Sequence, residues 1–361
     1  MLHAVIMAGG SGTRFWPRST QKKPKQFLNI FGKRTMLQAT ADRIDPLVPS
    51  ERIWVITNEK YVDLVADQLP DVPKNNIIGE PVAKNTAPCV ALAAALIQKT
   101  DPEGTMLVLP ADHLINDSKT FLSIVKTAEE KAEDKGSLIT IGIKPSHPET
   151  GYGYIECETG SGNNIKGNEV NHVVQFREKP DAVTAKAFIS AGNFLWNSGM
   201  FVWKASTIID EFKNHLPEIY KNIKELNPKI GSDQEENAIS RFYHACSSVS
   251  IDYGIMEQAD RVFVVPGEIG WNDVGSWNAV YELREKDEQG NVTQTEWPEL
   301  VNASDNLIHS ESGKVIALVG VENLAIVETD DAILVCNLDQ AQDVRQVVES
   351  LKKKKETQKF L

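Results

Sequence analysis

Short apolar runs alternate with helical patterns over the first 141 residues of the chain. The apolar runs are residues 2–7, 53–56, 77–78, 106–110 and 137–141, and the helical patterns are residues 59–69, 87–97 and 118–133. Strands of this length that alternate with helices predict right-handed βαβ units, in which helices cover both faces of a parallel sheet. Ligands of such sheets bind beyond the carboxyl ends of the strands.

The pattern changes after residue 141. Runs rich in aromatic and β-branched residues at 149–156, 170–178 and 194–203 predict strands, and with them a partly antiparallel extension of the sheet. Apolar spacing predicts helices at 205–212, 218–226, 235–243, 251–259 and 277–285, and a further strand at 261–266.

The C-terminal part has a different organisation. The polar stretch 283–299 predicts a linker or an exposed loop. Short strands between residues 307 and 338 predict a small all-β module, and a helix follows over 343–356, where terminal lysines complement the helix dipole. We therefore divide the chain into a catalytic domain, residues 1–285, and a C-terminal β module with a helix, residues 286–361.

Composition and charge argue against several classes of protein. The net charge of −12 disfavours binding to nucleic acid or to an anionic membrane surface. The chain has no uninterrupted apolar stretch of about 18 residues and no N-terminal leader pattern, so we expect a cytoplasmic protein. The cysteines Cys89, Cys157, Cys246 and Cys336 form no CxxC pair, which indicates reduced packing residues rather than a zinc site or disulfides.

A loop rich in glycine and basic residues, residues 7–27, follows the first predicted strand. Gly9, Gly10 and Gly12 carry no Cβ atoms, so backbone N–H groups can surround an anion, while Arg14 and Lys25 supply positive charge. The loop therefore predicts a cradle for a nucleoside triphosphate. A tight turn without a ligand is the alternative, since the glycine spacing matches neither the dinucleotide motif nor the P-loop motif.

Polar groups also cluster at 79–88, where a predicted strand passes to a helix. Asn85 or Thr86 is a natural N-cap of that helix, and Pro88 fits its first turn. Against that interpretation, Glu80, Lys84 and Asn85 place several polar groups together at this point of the chain, which favours a ligand site. Both interpretations remain open from the residues alone.

Two aspartates follow predicted strands far apart in the chain. Asp112 comes directly after the run 106–109, and Asp273 lies between glycines and tryptophans in GWNDVGSW. Nucleotidyl transfer needs a carboxylate that holds Mg²⁺ between phosphates, so Asp112 is a candidate metal ligand, although lone aspartates at strand ends are often turn residues.

The elements GGSGTRFWP, PKQF, LPADH, GYGYIE, EKP, NSG and WNDVGSW occur in this order over roughly residues 1–277. Together they resemble the motifs of the sugar-1-phosphate nucleotidyltransferases, and the segment Phe15-Trp16-Pro17 looks most like that of the mannose-1-phosphate guanylyltransferases within the family. The resemblance implies an α/β, Rossmann-like (GT-A-like) fold with a mixed sheet flanked by helices, and a short left-handed β-helix as a candidate for the C-terminal module. It also implies transfer of GMP from GTP to α-D-mannose 1-phosphate, which yields GDP-mannose and pyrophosphate with the help of Mg²⁺.

The resemblance further implies roles for individual residues. The catalytic residues would be Arg14, Lys25, Asp112 and Asp273, of which the two aspartates would bind the metal. The nucleotide would bind to Ala8, Gly9, Gly10, Gly12, Thr13, Glu80, Asn85 and Thr86. The base pocket would lie at 79–88, where Glu80 or a backbone carbonyl would accept hydrogen bonds from N1–H and N2–H₂ of guanine. The sugar phosphate would bind to Gly153, Glu178, Lys179, Asn197 and Asp252, where Asp252 as a simple helix N-cap is the alternative.

Several functional alternatives stay open. The same chemistry could use another hexose 1-phosphate or another nucleoside triphosphate. A non-catalytic relative would show loss of the charged positions, and none is lost in this sequence. A nicotinamide dehydrogenase is disfavoured by the glycine spacing. The β module with its terminal helix is also a candidate element for a homodimer.

Overall fold

The computed structural model describes residues 1–10, 12–158, 160 and 162–361. Its α-helices are α1 Met36–Ile44, α2 Val62–Gln68, α3 Thr86–Thr100, α4 Ser118–Lys131, α5 Ala182–Ala191, α6 Ala205–His215, α7 Pro217–Leu226, α8 Glu235–Ala245, α9 Trp277–Leu283 and α10 Val344–Lys352. Its strands are β1 Leu2–Ala8, β2 Ile53–Asn58, β3 Ile77–Glu80, β4 Thr105–Pro110, β5 Leu114–Ile115, β6 Leu138–Ile143, β7 Tyr154–Cys157, β8 Asn163–Ile165, β9 Asn168–Arg177, β10 Phe194–Lys204, β11 Val262–Gly267, β12 Trp271–Asn272, β13 Val292–Gln294, β14 Pro298–Val301, β15 Leu307–Ser310, β16 Ile316–Val319, β17 Leu324–Glu328 and β18 Ile333–Asn337. Short 3₁₀ turns include Thr13–Phe15, Lys25–Phe27, Leu338–Asp343 and Lys355–Phe360, and a π-helical turn spans Asp252–Met256.

Contacts among the described residues divide the chain into two compact units that are not continuous in sequence. The first unit comprises Met1–Gly9, Thr40–Ala111 and Ile115–Trp271. The second comprises Gly10–Ala39, Asp112–Leu114 and Asn272–Leu361, so most of the glycine-rich loop belongs with the C-terminal segment. The division of the chain near residue 285 stays a prediction.

A mixed sheet forms the centre of the first unit, with the strand order β3-β2-β1-β4-β10-β6-β11-β9-β7. Strands β3, β2, β1 and β4 are mutually parallel, whereas β10 runs antiparallel to both β4 and β6. Strands β9 and β7 add further antiparallel pairs. The parallel start and the antiparallel extension predicted from the sequence are therefore confirmed. The carboxyl ends of β1, β3 and β4 lie at the same edge of this sheet.

Helix α3 lies in the core of the first unit. Its residues from Ala87 to Ile97 are all buried, as expected for a helix that is apolar on every side. The small alanine side chains allow close packing against β1 and β2 and against α6 and α7. The start of α3 is thereby held at the edge where β1 and β3 end.

Short parallel strands stack in the second unit. Val292 of β13 pairs with Leu307 of β15, which in turn pairs with Ala325 of β17. Strands β14 and β16 form a separate parallel pair, in which Pro298 lies beside Ile316. Successive short strands that stack in parallel form the coils of a β-helix. The handedness of these coils stays a prediction.

The structure corrects the sequence predictions in three places. The strand predicted over 149–156 begins only at Tyr154, because the residues around Gly151 and Gly153 form a loop. The stretch 283–299 is not simply a linker, since it contains β13 and the start of β14, strands of 3 and 4 residues that are too short to show a period. The helix predicted over 251–259 is a π-helical turn, in which the Glu257 N–H donates to the Asp252 carbonyl.

The described residues contain no helix that combines the length and the apolar character needed to cross a membrane. The four cysteines are free thiols, as predicted, and three of them are buried.

Candidate active site

The glycine-rich loop folds back on itself in the second unit, and Ser11 within it lies outside the described residues. Gly12 has a φ of +56°, and a Cβ atom built there would lie 2.3 Å from Cβ of Lys25. A side chain at Gly12 is therefore excluded by conformation and by space. Gly10, in contrast, has no atom near its Cβ position among the described residues, so it leaves open space.

The two basic residues of the loop have opposite environments. Arg14 is exposed on the 3₁₀ turn Thr13–Phe15. Lys25 is buried, and its ammonium donates to Oδ2 of Asp112 at 2.9 Å and to the main-chain oxygen of Asp273 at 2.7 Å. One cation thus links the two segments that carry the predicted metal ligands.

Asp112 is an ionised carboxylate in this arrangement. Burial acts to raise its pKa, but the charges of Lys25 and His113 and the hydrogen bond from Lys25 outweigh burial, so the pKa is lowered. The His113 ring contributes from a distance of 4.0 Å between Nε2 and Oδ1 of Asp112. A protonated His113 ring therefore adds to the effect of Lys25 on Asp112.

Asp273 is presented by a strained turn. Val274, the next residue, is buried and has a φ of +50°, which is rare for a β-branched side chain. Its N–H donates to Oδ1 of Asn272 at 2.7 Å. The carboxylate oxygens of Asp273 lie 3.3 Å from the position that a Cβ atom of Gly275 would occupy. Strain of this kind is retained where the surroundings fix it, which is common at functional sites.

The donor set fits a metal ion that substrate phosphates complete. Within the described residues, no group of three or more His, Cys, Asp and Glu side chains could hold a metal ion alone. Mg²⁺ is usually bound by one or two carboxylates together with substrate phosphates and water. Asp112 and Asp273 are carboxylates of this kind, and Lys25 joins the side chain of Asp112 to the main chain of Asp273. Their role as metal ligands stays a prediction.

Glu80 lies at the carboxyl end of β3 in the first unit and is buried. Burial raises the pKa of Glu80 to about 7, and the neighbouring Tyr243 side chain only partly offsets this effect. Oε2 of Glu80 is 3.0 Å from the position that a Cβ atom of Gly9 would occupy. The carboxyl group therefore lies against the backbone that follows β1, in a setting where it titrates near neutral pH.

The interpretation of Asn85 as a helix cap is confirmed. Its side-chain oxygen accepts a hydrogen bond from the Thr86 N–H at 2.9 Å, and its own φ is +66°. The hydroxyl of Thr86 accepts a hydrogen bond from the Ile251 N–H at 2.8 Å. These contacts explain the residues without a ligand, so their binding role stays a prediction.

A β-bulge presents Asn197 in the first unit. The register of β10 against β6 shifts between Asn197 and Phe201, and Gly199 within the bulge has a φ of +67°. Nδ2 of Asn197 donates to Oδ1 of Asp252 at 2.7 Å. Asp252 is therefore not a helix N-cap, and burial raises its pKa.

The other residues predicted to bind the sugar phosphate lie around Asn197. The Asn197 N–H donates to the Gly153 carbonyl at 2.8 Å, and a Cβ atom at Gly153 would lie 2.9 Å from Oε2 of Glu178. Lys179, with a φ of +41°, forms an ion pair of 2.6 Å with Glu178. Carboxylates, an amide and an ammonium group are thus assembled at one place, as recognition of a sugar phosphate requires.

Comparison with known proteins agrees with these motifs. The family model described as nucleotidyl transferase matches residues 3–290, and a model described as MannoseP isomerase/GMP-like beta-helix domain matches residues 300–351. The mannose-1-phosphate guanylyltransferase RfbM of Salmonella typhimurium is 44% identical over 97% of this chain and 72% of its own length. A mannose-1-phosphate guanylyltransferase of Klebsiella pneumoniae is 42% identical over 98% of this chain and 74% of its own length.

The chain belongs to the nucleotidyl transferase family. A solved structure titled mannose-1-phosphate geranyltransferase, from Thermus thermophilus, has a TM-score of 0.87 and 32% identity, and the match covers 97% of this chain and 99% of that one. The family, the mixed-sheet fold and the β-helix module predicted from the sequence are confirmed.

Within each unit, residues predicted for the site make contacts that the sequence motifs did not reveal. Tyr243 lies beside Glu80, although only its place on the apolar face of α8 could be seen in the sequence. Gln26 donates from Nε2 to the Gly10 carbonyl at 3.0 Å. Arg18 is buried and binds Glu311 from the β module. Contacts between residues so distant in sequence carry no local signal.

Proposed function

We propose that this protein transfers the GMP group of GTP to α-D-mannose 1-phosphate and releases GDP-mannose and pyrophosphate. The observation that carries the proposal is the match over nearly the whole chain to mannose-1-phosphate guanylyltransferases at more than 40% identity. The local geometry supports it, because the charged motif residues are present and held in defined environments.

The loop supplies the groups that bind the triphosphate. Arg14 is exposed on its 3₁₀ turn and offsets the charge that develops on pyrophosphate. Lys25 places a buried positive charge beside Asp112 and the Asp273 carbonyl. Among the described residues, no atom lies near the Cβ position of Gly10, which leaves the open space that close approach of phosphate oxygens requires.

Asp112 and Asp273 are the residues that would hold Mg²⁺. When bound, the ion would neutralise phosphate charge and orient the phosphoryl oxygens. The lowered pKa of Asp112 keeps that carboxylate ionised and ready to bind a cation.

Glu80 is the candidate for guanine selection. A carboxylate accepts from the N1–H and N2–H₂ groups of guanine, whereas the adenine edge presents an acceptor at N1. The buried setting of Glu80 makes a mismatched partner costly, since an unpaired buried polar group loses about 1–3 kcal/mol. Tyr243 supports this carboxyl group from α8.

The sugar phosphate is bound by the cluster around Asn197. Lys179 neutralises the incoming phosphate, and Glu178 and Asn197 bind hydroxyl groups of the hexose. Asp252 orients the Asn197 amide through its hydrogen bond, which leaves the amide oxygen bonded to the Gly199 N–H at 3.1 Å.

The chemical step needs no protein nucleophile. An oxygen of the sugar phosphate attacks the α-phosphorus, the new P–O bond forms, and the bond to pyrophosphate breaks. Positioning and charge neutralisation by the residues above provide the acceleration. We also propose a cytoplasmic location, because both substrates are highly charged metabolites.

In the test, the protein is incubated with mannose 1-phosphate, Mg²⁺ and GTP that carries a label on its α-phosphate, and the labelled product is identified. We expect the label in GDP-mannose and unlabelled pyrophosphate in equal amount. Asp273→Asn should abolish most of the turnover while the protein stays folded. Labelled GMP without sugar, or a label trapped on the protein, would contradict direct transfer.

A further inference from the structure

Arg18 is a buried arginine inside the glycine-rich loop that the proposed reaction does not use. Its Nε donates to Oε1 of Glu311 at 2.6 Å, and its Nη2 donates to Oδ1 of Asn29 at 2.8 Å. Glu311 lies after β15, in the C-terminal β module, and its side chain is 45% exposed. The β module therefore reaches the loop through an ion pair with a buried cation.

Neighbouring residues of the loop are held from the same side. Nε1 of Trp16 donates to the Phe360 carbonyl at 2.9 Å, and the Trp16 carbonyl accepts from Nε1 of Trp277 at 3.2 Å. The rings of Phe15 and Trp277 lie 5.1 Å apart. The segment that directly follows Arg14 is thus fixed by hydrogen bonds and ring contacts with the C-terminal segment.

The chemistry of Arg18 explains why its partners matter. A guanidinium stays charged in proteins, so its burial requires partners for its N–H groups. Glu311 is ionised throughout the neutral range, because His309 and the Arg18 charge hold its pKa at about 2. Loss of Glu311 would leave the Arg18 guanidinium buried without its charged partner. Loss of Arg18 would remove the contact between the loop segment and Glu311.

We propose that Arg18 and Glu311 are positioning residues for the triphosphate, which fix the loop segment that carries Arg14. The inference rests on the proposed function of the loop. It assigns the β module a part in GTP use, since Glu311 acts on the reaction through Arg18 without touching the substrate.

The test compares Glu311→Gln with wild type at saturating mannose 1-phosphate. We expect kcat/KM for GTP to fall by about ten- to a hundredfold, because a displaced positioning group costs this much. The KM for mannose 1-phosphate should stay within about twofold, since Glu178 and Lys179 are untouched. Glu311→Asp keeps the charge and should recover part of the activity. Arg18→Lys should not, because an ammonium cannot reproduce the two-sided hydrogen bonding.

Asn306→Leu is the control for stability. Asn306 is a buried side chain of the same module, and its hydrogen bonds run to Asn291, Val321 and Leu324, away from Glu311. This variant should lower the midpoint of thermal unfolding while it leaves kcat/KM for GTP unchanged. A double variant of Arg18 and Glu311 should be no worse than the more damaged single variant, as expected for two parts of one contact.

Two outcomes would overturn the inference. In the first, Glu311→Gln leaves kcat/KM for GTP unchanged. In the second, Glu311→Gln and Asn306→Leu lower kcat/KM for GTP equally, in proportion to the stability that each variant loses. Direct calorimetric binding of GTP separates this test from the proposed reaction. If wild type binds GTP without forming GDP-mannose, the proposed function fails, and weaker GTP binding by Glu311→Gln would still support the positioning role.

Discussion

Replacement of Lys25 by methionine removes a charge that links Asp112 to the backbone of Asp273. The side chain keeps its apolar length, so the packing of the 6% exposed lysine stem is largely preserved. Two hydrogen bonds from the ammonium are lost, at about 1.5–3 kcal/mol each. The change also removes a buried cation, whose desolvation costs several kcal/mol, so we expect a net loss of about 1–3 kcal/mol in the free energy of unfolding.

The catalytic loss should be larger than the loss of stability. A preorganised charge aimed at the transition state contributes about 10²–10³ in kcat, or about 2.7–4 kcal/mol. Urea unfolding gives the stability, and pyrophosphate release at a temperature where both proteins are folded gives kcat. Arg14→Ala is the matched control, since Arg14 is exposed and its removal should change stability by less than about 0.5 kcal/mol. A folded Lys25→Met protein with kcat within about threefold of wild type would refute the reasoning.

Three further predictions concern the loop, the base and the β module. Gly12→Ala should lower the free energy of unfolding by about 1–3 kcal/mol and remove most of the turnover, because the new Cβ atom would lie 2.3 Å from Lys25. Gly10→Ala is the control: its Cβ atom would meet open space, so urea unfolding should be unchanged. The pKa of Glu80 is raised to about 7, so the carboxylate that accepts hydrogen bonds from guanine becomes protonated as the pH falls below 7. The KM for GTP should therefore rise below pH 7, and Glu80→Gln should remove that pH dependence. Burial acts to raise the pKa of Glu328, but hydrogen bonds from Lys314 and two serines lower it to about 2, below its ordinary value of 4.5. The ionised Glu328 therefore stabilises the folded state above pH 4.5, and this contribution is lost as the pH falls toward 2. Lys314→Met should lower the unfolding free energy by about 1–3 kcal/mol at pH 7, and no change in an acid or urea titration would contradict the role given to the pair.

Local patterns in the sequence predicted the elements that obey simple periods. The βαβ alternation and helix α3, for example, follow from apolar spacing, and Asn85 was recognisable as a cap from its place before that helix. The short strands β13 and β14 were missed, because 3 and 4 residues are too few to show alternation. The π-helical turn at Asp252 was missed for a related reason, since its apolar positions also fit an α-helix.

The candidate site was predictable where a motif contains its own chemistry. Asp112 and Asp273 were proposed from their motifs, and the residues around Asn197 from the family resemblance. The structure brings the residues predicted to bind the sugar phosphate together, and all of these roles stay predictions. The partners of those residues were not predictable. The ammonium of Lys25 binds Asp112 and the Asp273 carbonyl, and Arg18 binds Glu311, across separations in sequence that no local pattern encodes.

The sequence and the structure give different reasons for the glycine at Gly12. The sequence indicated that its missing side chain admits a phosphate group. The structure gives a second reason, because Lys25 occupies the space where a Cβ atom would be. The absence of a side chain at Gly12 therefore makes room for Lys25 as well as for a phosphate group.

The preference among nucleotides and sugar phosphates is the sharpest test of the proposed reaction. The measurement is kcat/KM from pyrophosphate release for GTP, ATP, UTP and dTTP, each with mannose 1-phosphate and glucose 1-phosphate. We expect the highest value for GTP with mannose 1-phosphate, and a loss of the preference for GTP over ATP in Glu80→Gln. A higher value for another nucleotide or sugar phosphate, or no release with any pair, would contradict it.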